Sequence, residues 1–231
     1  MNSVKSSESS DEGARPYHHG DLRNALVDAA AALAEEGGPD AVTIRAAARA
    51  VGVTPTATYR HFANQADLLD AAKHEAMDRL AATILELLAA EKPAPHPAEA
   101  AVQRLAAAGR GYIHFALAQP GLFRTAFLRP HAGDPRPPEE ISAILADAPP
   151  YAFLTTALDD LVEAGWLAPE LRPDAETAAW STVHGLAVLL IDGPYSICPD
   201  TERERFINVT LGMVVRGLSG GPASDAPLNA E

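Results

Sequence analysis

The sequence predicts an all-α fold, and three observations carry that prediction. Of 231 residues, 47 are Ala and 25 are Leu, against only 12 Val and 8 Ile. Ala and Leu lead the helix-propensity ranking, whereas strands favour β-branched and aromatic residues. Aromatic residues make up just 6% of the chain. Apolar residues also recur at helical spacing along most of the sequence, and no segment reads as a strand.

Each element has its own signals. Residues 1–14 are polar and read as a disordered tail. Leu22, Leu26, Ala29 and Leu33 share one helical face, and Gly37-Gly38 ends that run, so the first helix covers about 21–36. Thr43 is a good N-cap for a second, short helix, with Val42 placed to staple onto Ala47. Gly52 follows only eight residues after Ile44 and stops it. A third helix starts at once, with Thr54 as N-cap and Pro55 at the first helical position. Asn64 starts a fourth, with Asp67 in its first turn. Leu68, Leu69, Ala72, Ala76, Leu80, Ile84 and Leu87 continue it to just before Pro93.

Residues 92–97 hold three prolines and form a linker or sharp turn. A helix then runs over about 98–119, stopped by Pro120-Gly121, and a short apolar segment follows over 122–128. Residues 129–138 read as a surface loop. Helices are expected over 139–147 and 151–165, with a turn over 170–173. Two final helices cover about 174–191 and 200–218, and 220–231 is a polar tail. The domain reading is 15–63 for one unit and 64–219 for a second.

The formal charge is −13, which argues against a protein that coats nucleic acid nonspecifically. The charge is uneven. Residues 15–62 carry five arginines and five acids, while residues beyond 62 carry a net −11. The N-terminal part is therefore the less repulsive face for DNA. The single cysteine, Cys198, excludes an intrachain disulfide framework and a four-cysteine metal site. His18-His19 has no further ligand nearby, so neither a metal nor a cofactor is expected. The N-terminus has no apolar core of a signal peptide, and the aliphatic run Leu186–Ile191 is too short to span a bilayer. The expectation is a soluble cytoplasmic protein without a membrane partner.

Segment 43–62 is the most informative. A helix-turn-helix needs two short helices meeting steeply at a tight turn, with small residues where they touch. Ala47 and Ala48 are small, Gly52 tolerates positive φ at the turn, and Val53 can plug the corner. The second helix begins with short side chains, Thr54, Thr56, Ala57 and Thr58, which can enter a major groove. Tyr59, Arg60 and His61 end it.

The run Tyr17–Arg23, then Thr43–Phe62 with its Gly52-Val53-Thr54 and Tyr59-Arg60-His61-Phe62, then Leu68-Leu69, resembles the DNA-binding domain of tetracycline-repressor-type (TetR/AcrR) regulators. Trp180-Ser-Thr-Val-His184-Gly185, with Ala116–Phe123 upstream, resembles the WHG-type ligand-binding domain of a subfamily. The resemblance implies an all-α homodimer with an N-terminal three-helix helix-turn-helix domain and a C-terminal ligand-binding and dimerisation domain. It implies roles on double-stranded DNA. Thr43 and Arg45 would meet phosphates. Thr54, Pro55, Thr56 and Ala57 would face bases. Tyr59 and His61 would fix register on the backbone, with Arg60 beside them. Arg15 would reach a neighbouring phosphate or the minor groove. Two positions depart from the family pattern. Gln65 stands where Lys is common, and Thr58 where an aliphatic residue often packs.

Tyr112, Phe115, Phe123, Phe127 and Phe153 concentrate aromatic surface mid-chain. Singly they suit core packing, and together they could line an effector cavity between helices. His114 or Asp159 could supply it with a polar contact. His114 and His184 otherwise read as hydrogen-bonded core or pocket-wall groups. The last two helices carry Trp180, Val183, His184, Ala187 and Leu190, then Phe206, Val209, Leu211, Val214 and Val215. These could complete the internal core, or meet a twin across a two-fold axis. The reading is a repressor that binds a palindromic operator as a homodimer and is released by a small-molecule effector. Two alternatives stand beside it: a helical enzyme, disfavoured because no paired Glu-x-x-His motif appears, and a DNA-binding protein without an effector.

Overall fold

The computed structural model describes residues 19–92, 94–127 and 148–219. Among them the chain forms nine α-helices and no strand. They are α1 His19–Gly37, α2 Ile44–Val51, α3 Pro55–Thr58, α4 Gln65–Ala90, α5 Pro97–Ala118, α6 Pro120–Ala126, α7 Pro149–Glu163, α8 Arg172–Ile191 and α9 Asp200–Gly217. Short 3-10 turns occupy Pro39–Ala41, Pro169–Leu171 and Pro194–Ile197. Arg15, both expected tails and the expected loop and helix over 129–147 lie outside the described residues. No described helix is long and apolar enough to cross a membrane.

The alanine excess has a packing role. On α1, Ala30, Ala31 and Ala34 are fully buried beside Leu26. Side chains this small let α1 approach α2 and α4 closely, as helix spacing depends on the residues at the contact. α4 is about 39 Å long at 1.5 Å per residue. Leu68, Leu69 and Ala72 join its first half to the core around Leu26 and Phe62; Leu80 and Ile84 carry the same core towards Ile113 and Phe115. The helix-turn-helix and the body thus share one continuous apolar cluster, so α4 belongs to both. A second cluster joins α5 to α7 and α8 through Leu105, Leu158, Leu161, Leu167 and Ala175.

Two stretches differ from their sequence reading. The apolar segment after Pro120 is a helix, α6, with Gly121, Leu122, Phe123, Thr125 and Ala126 buried. Its Thr125 hydroxyl donates to the Gly121 carbonyl at 2.8 Å. Residues 170–173 are not all turn, because α8 begins at Arg172 with Pro173 inside its first turn. Proline is tolerated there because those N–H groups have no intrahelical partner. Arg172 fastens this helix start by bonding to Asp159 at 2.8 Å and Glu176 at 2.5 Å.

Candidate nucleic-acid interface and ligand cavity

The first three helices form the expected helix-turn-helix, and its joints are visible in hydrogen bonds. The Thr43 side chain accepts from the Ala46 N–H at 3.1 Å, and that of Thr54 from the Ala57 N–H at 3.2 Å. Each hydroxyl spends a lone pair on its cap and keeps its proton to donate outward. Gly52 adopts φ 77°, ψ 27°, the left-handed region that strains other residues. Its N–H donates to the Arg49 carbonyl at 3.2 Å, and the Val53 N–H donates to the Ala48 carbonyl at 2.9 Å. That pair of bonds is a Schellman motif, and it turns the chain sharply into α3. Beyond α3, Asn64 accepts from the Asp67 N–H at 3.0 Å, and Asp67 accepts from the Ala63 N–H at 3.1 Å. This reciprocal cap fixes the start of α4.

Thr54, Pro55, Thr56 and Arg60 are exposed along α3 and its exit, and Tyr59 is 56% exposed. Arg45 and Gln65 are exposed at the starts of α2 and α4, and Arg49 on α2 is exposed too. Thr43, Ala57 and His61 are half-buried. The inward face of the same segment is Thr58 and Phe62, and the Arg23 guanidinium lies 5.4 Å from the Phe62 ring centroid. One edge is thus left to solvent with hydroxyl, phenol and guanidinium groups, while its back is anchored in the core.

A cavity of about 70 Å³ lies among α4, α5, α7, α8, α9 and the end of α6. Tyr112, Phe127 and Trp180 form its aromatic wall, and Leu105, Leu154, Val183, Leu211, Val214 and Val215 much of the rest. Trp180 and His184 sit one turn apart on α8, on the same face. The Trp180 N–H donates to the Tyr112 oxygen at 3.1 Å, and Tyr112 and His184 Nδ1 are 2.7 Å apart. If the hydroxyl donates to Nδ1, His184 is the neutral Nε2–H tautomer. Burial holds the imidazole below its ordinary pKa, and it pushes the Tyr112 phenol far above its own. Phe123 stacks on His184 at 5.5 Å between centroids, and Phe127 meets the same ring edge-on at 5.1 Å.

The family description "Bacterial regulatory proteins, tetR family" matches residues 26–72, and "Tetracyclin repressor-like, C-terminal domain" matches 105–213. The chain belongs to the TetR family of transcriptional regulators. It is 26% identical over 200 residues to the uncharacterized HTH-type transcriptional regulator YobS of Bacillus subtilis (strain 168), spanning 85% of this chain and 90% of that protein. Among solved structures, a protein of unknown function from Rhodococcus sp. RHA1 superposes with TM-score 0.69 at 27% identity, covering 89% of this chain and 100% of that one. The regulator FadR from Bacillus subtilis, in complex with stearoyl-CoA, shares the fold with TM-score 0.61 at 17% identity, covering 84% and 98%. TetR-family proteins are transcriptional regulators, not enzymes.

Within this TetR-type architecture several residues stand elsewhere than expected. Of the aromatic residues assigned to an effector, Tyr112 and Phe127 line the cavity. Phe115 and Phe123 are buried in the main core, and Phe153 is half-buried against it. His114 faces α9 at the surface, 3.0 Å from Glu204, and Asp159 pairs with Arg172, so neither reaches the cavity. The residues assigned to a dimer face turn inward. Val183, Ala187, Leu190 and Leu211 are buried within the single chain. Trp180, Val183, Leu211, Val214 and Val215 line the cavity, His184 bonds Tyr112, and Phe206 stacks on Tyr195 at 4.8 Å. The large apolar residues exposed on the last two helices are Val188, Leu189, Met213 and, among those expected, Val209. Val188, Leu189 and Met213 lie one position along the helix from Ala187, Leu190 and Val214, turned about 100° from them.

Two expectations follow for stability. Thr58 is fully buried and its hydroxyl oxygen has no hydrogen-bond partner among the described residues. Removing an unpaired buried polar group at constant shape stabilises, so Thr58→Val should gain about 1 kcal/mol. That gain corresponds to roughly 2–4 °C in Tm for a chain of this size. A lower Tm would mean that the hydroxyl is paired after all. For His184, the folded chain binds the proton less readily than the unfolded chain. Its contribution is complete above the unfolded value of about 6.5 and declines as pH falls from there through the lower native value. Thermal melts between about pH 7.5 and 5 should show a smaller decline in His184→Gln than in the parent chain. Equal declines would remove His184 from the account.

Proposed function

We propose that this TetR-family chain is a repressor that holds a palindromic operator as a homodimer and is released by a small molecule. The observation that carries the reading is the split of α3 and its exit. Thr58 and Phe62 anchor the segment, while Thr54, Pro55, Thr56, Ala57 and Tyr59 remain at its outer edge. Threonine methyls and Ala57 suit thymine methyl groups, and threonine hydroxyls suit base edges. Thr43, Arg45, Tyr59, Arg60, His61 and Gln65 flank that edge and would meet phosphates, which set register rather than sequence. The acidic body repels DNA elsewhere.

The exposed apolar residues Val188 and Leu189 on α8 and Val209 and Met213 on α9 serve as the dimer face. A two-fold partner would pair these helices in a four-helix bundle and place two reading heads on successive turns of DNA. The cavity holds the effector. α6 is the coupling element: its far end, Phe127, lines the cavity, and its near end, Gly121, touches the last carbonyls of α1. The Arg124 guanidinium clasps Asp192 in a two-pronged bond of 2.5–3.2 Å and ties α6 to the end of α8. That FadR was crystallised with stearoyl-CoA supports a ligand-bearing body on this fold.

A gel-shift assay with DNA upstream of the chain's own gene tests the reading. The parent protein should shift a band, and Tyr59→Ala should abolish the shift while leaving the melt unchanged, because Tyr59 is exposed. An undiminished shift in that variant would sink the assignment of the reading edge.

A further inference from the structure

We infer that the cavity takes an uncharged, hydrocarbon-rich molecule bulkier than the resting cavity, so that binding must move its walls. The inference rests on the effector reading above and names the class of ligand. Among the described residues, none that line the cavity carries a charge, and none is Ser, Thr, Asn or Gln. The polar side-chain atoms that these described residues bring to the wall belong to Tyr112, Tyr151 and Trp180. Two of these are already engaged. The single N–H of Trp180 goes to Tyr112, and with His184 in the Nε2–H form the Tyr112 proton goes to its Nδ1. What is left is one lone pair on the Tyr112 oxygen and the Tyr151 hydroxyl.

A carboxylate or phosphate entering here would lose its water and find no cation among the described lining residues. An ammonium would find no carboxylate among the same described residues. Burying an unpaired ion is among the most costly steps in protein energetics. Three arginines on the surrounding helices are paired with carboxylates: Arg110 with Glu204, Arg104 with Asp160, and Arg172 with Asp159 and Glu176. An uncharged molecule has no such penalty, and a single hydroxyl on it could donate to Tyr112 or bond Tyr151.

Size supplies the second half. An apolar cavity of about 150 Å³ accommodates benzene, whereas this one measures about 70 Å³. One aromatic ring therefore exceeds the water-accessible space between the described walls. The joint among α5, α8 and α9 is tight, since a Cβ on Gly109 would lie 2.6 Å from Leu211 Cδ2 and 3.4 Å from Val183 Cγ1. Expansion is thus directed away from the α5–α8–α9 contact.

The test uses the full-length protein and three matched probes: 1-naphthalenemethanol, 1-naphthoate and 1-naphthylmethylammonium. They share one ring system and differ in charge. Titration calorimetry gives each affinity, and a parallel gel shift with bound upstream DNA reads release. The alcohol should bind at least tenfold more tightly than either ion. Ala179→Leu, which fills the cavity, should remove that binding, and Val183→Ala, which enlarges it, should strengthen it. An ion that binds as tightly as the alcohol overturns the inference. So does an alcohol that fails to bind, or one indifferent to both variants. If the alcohol binds as expected but the DNA stays bound, the effector reading fails and the ligand class stands. If an ion binds best and frees the DNA, the reverse holds.

Discussion

The double variant Val209→Glu/Met213→Glu should run as a monomer and hold its operator roughly 100-fold more weakly than the parent chain. The size follows from linkage of two half-sites: once one head is bound, the second binds at high effective concentration, which multiplies affinity by about 10²–10⁴. Val209 is 48% exposed and Met213 63% exposed. Neither glutamate needs to enter the core, so the chain should fold and melt as before. Across a two-fold axis, however, each would bury a like charge against its twin with no counter-ion. Light scattering checks the mass and a gel shift checks the affinity. A variant that remains dimeric would move the interface elsewhere on the surface.

The second large effect belongs to Gly121→Ala. A Cβ there would collide with the Ala34 carbonyl oxygen and lie 2.5 Å from that of Glu35. Both obstacles are backbone, so no rotamer change relieves them, and α6 must move away from α1. Overpacking of this kind costs about 3 kcal/mol. For a chain of this length the Tm should fall by roughly 6–12 °C. The contact is also the joint through which α6 would pass cavity expansion to the reading head. Operator affinity in the variant should therefore lose most of its dependence on the effector. A parental melt with intact release would remove the α1–α6 contact from the coupling.

The parts legible in the sequence are those with local causes. The cap at Thr43, the left-handed Gly52 and the cap at Thr54 each act within a few residues, so the helix-turn-helix stands where the spacing placed it. The cap bond from Asn64 is equally local. The faces of α8 were not legible, for a physical reason. This helix is apolar on several sides: Val183, Ala187 and Leu190 point inward, while Val188 and Leu189 point out. When apolar residues ring a helix, periodicity cannot say which face meets the core and which is left over. The polar partners of His114 and Asp159 were hidden differently. Glu204 lies 90 residues from His114, and Arg172 lies across a turn from Asp159. Only the three-dimensional arrangement brings them together. The pairing of Trp180 and His184 on one face was readable from their i, i+4 spacing. Their common partner, Tyr112, stands on a different helix, 68 and 72 residues away.

The most direct measurement is selection and sequencing of the DNA that the purified protein retains from a random pool. The account predicts a two-fold symmetric site whose half-sites lie about 10 bp apart, or a multiple of that, centre to centre. Thr56→Ala should alter the preferred bases without changing the spacing. A pool that shows no enrichment, or a single unpaired half-site, would contradict the reading of this protein as a dimeric operator-binding regulator.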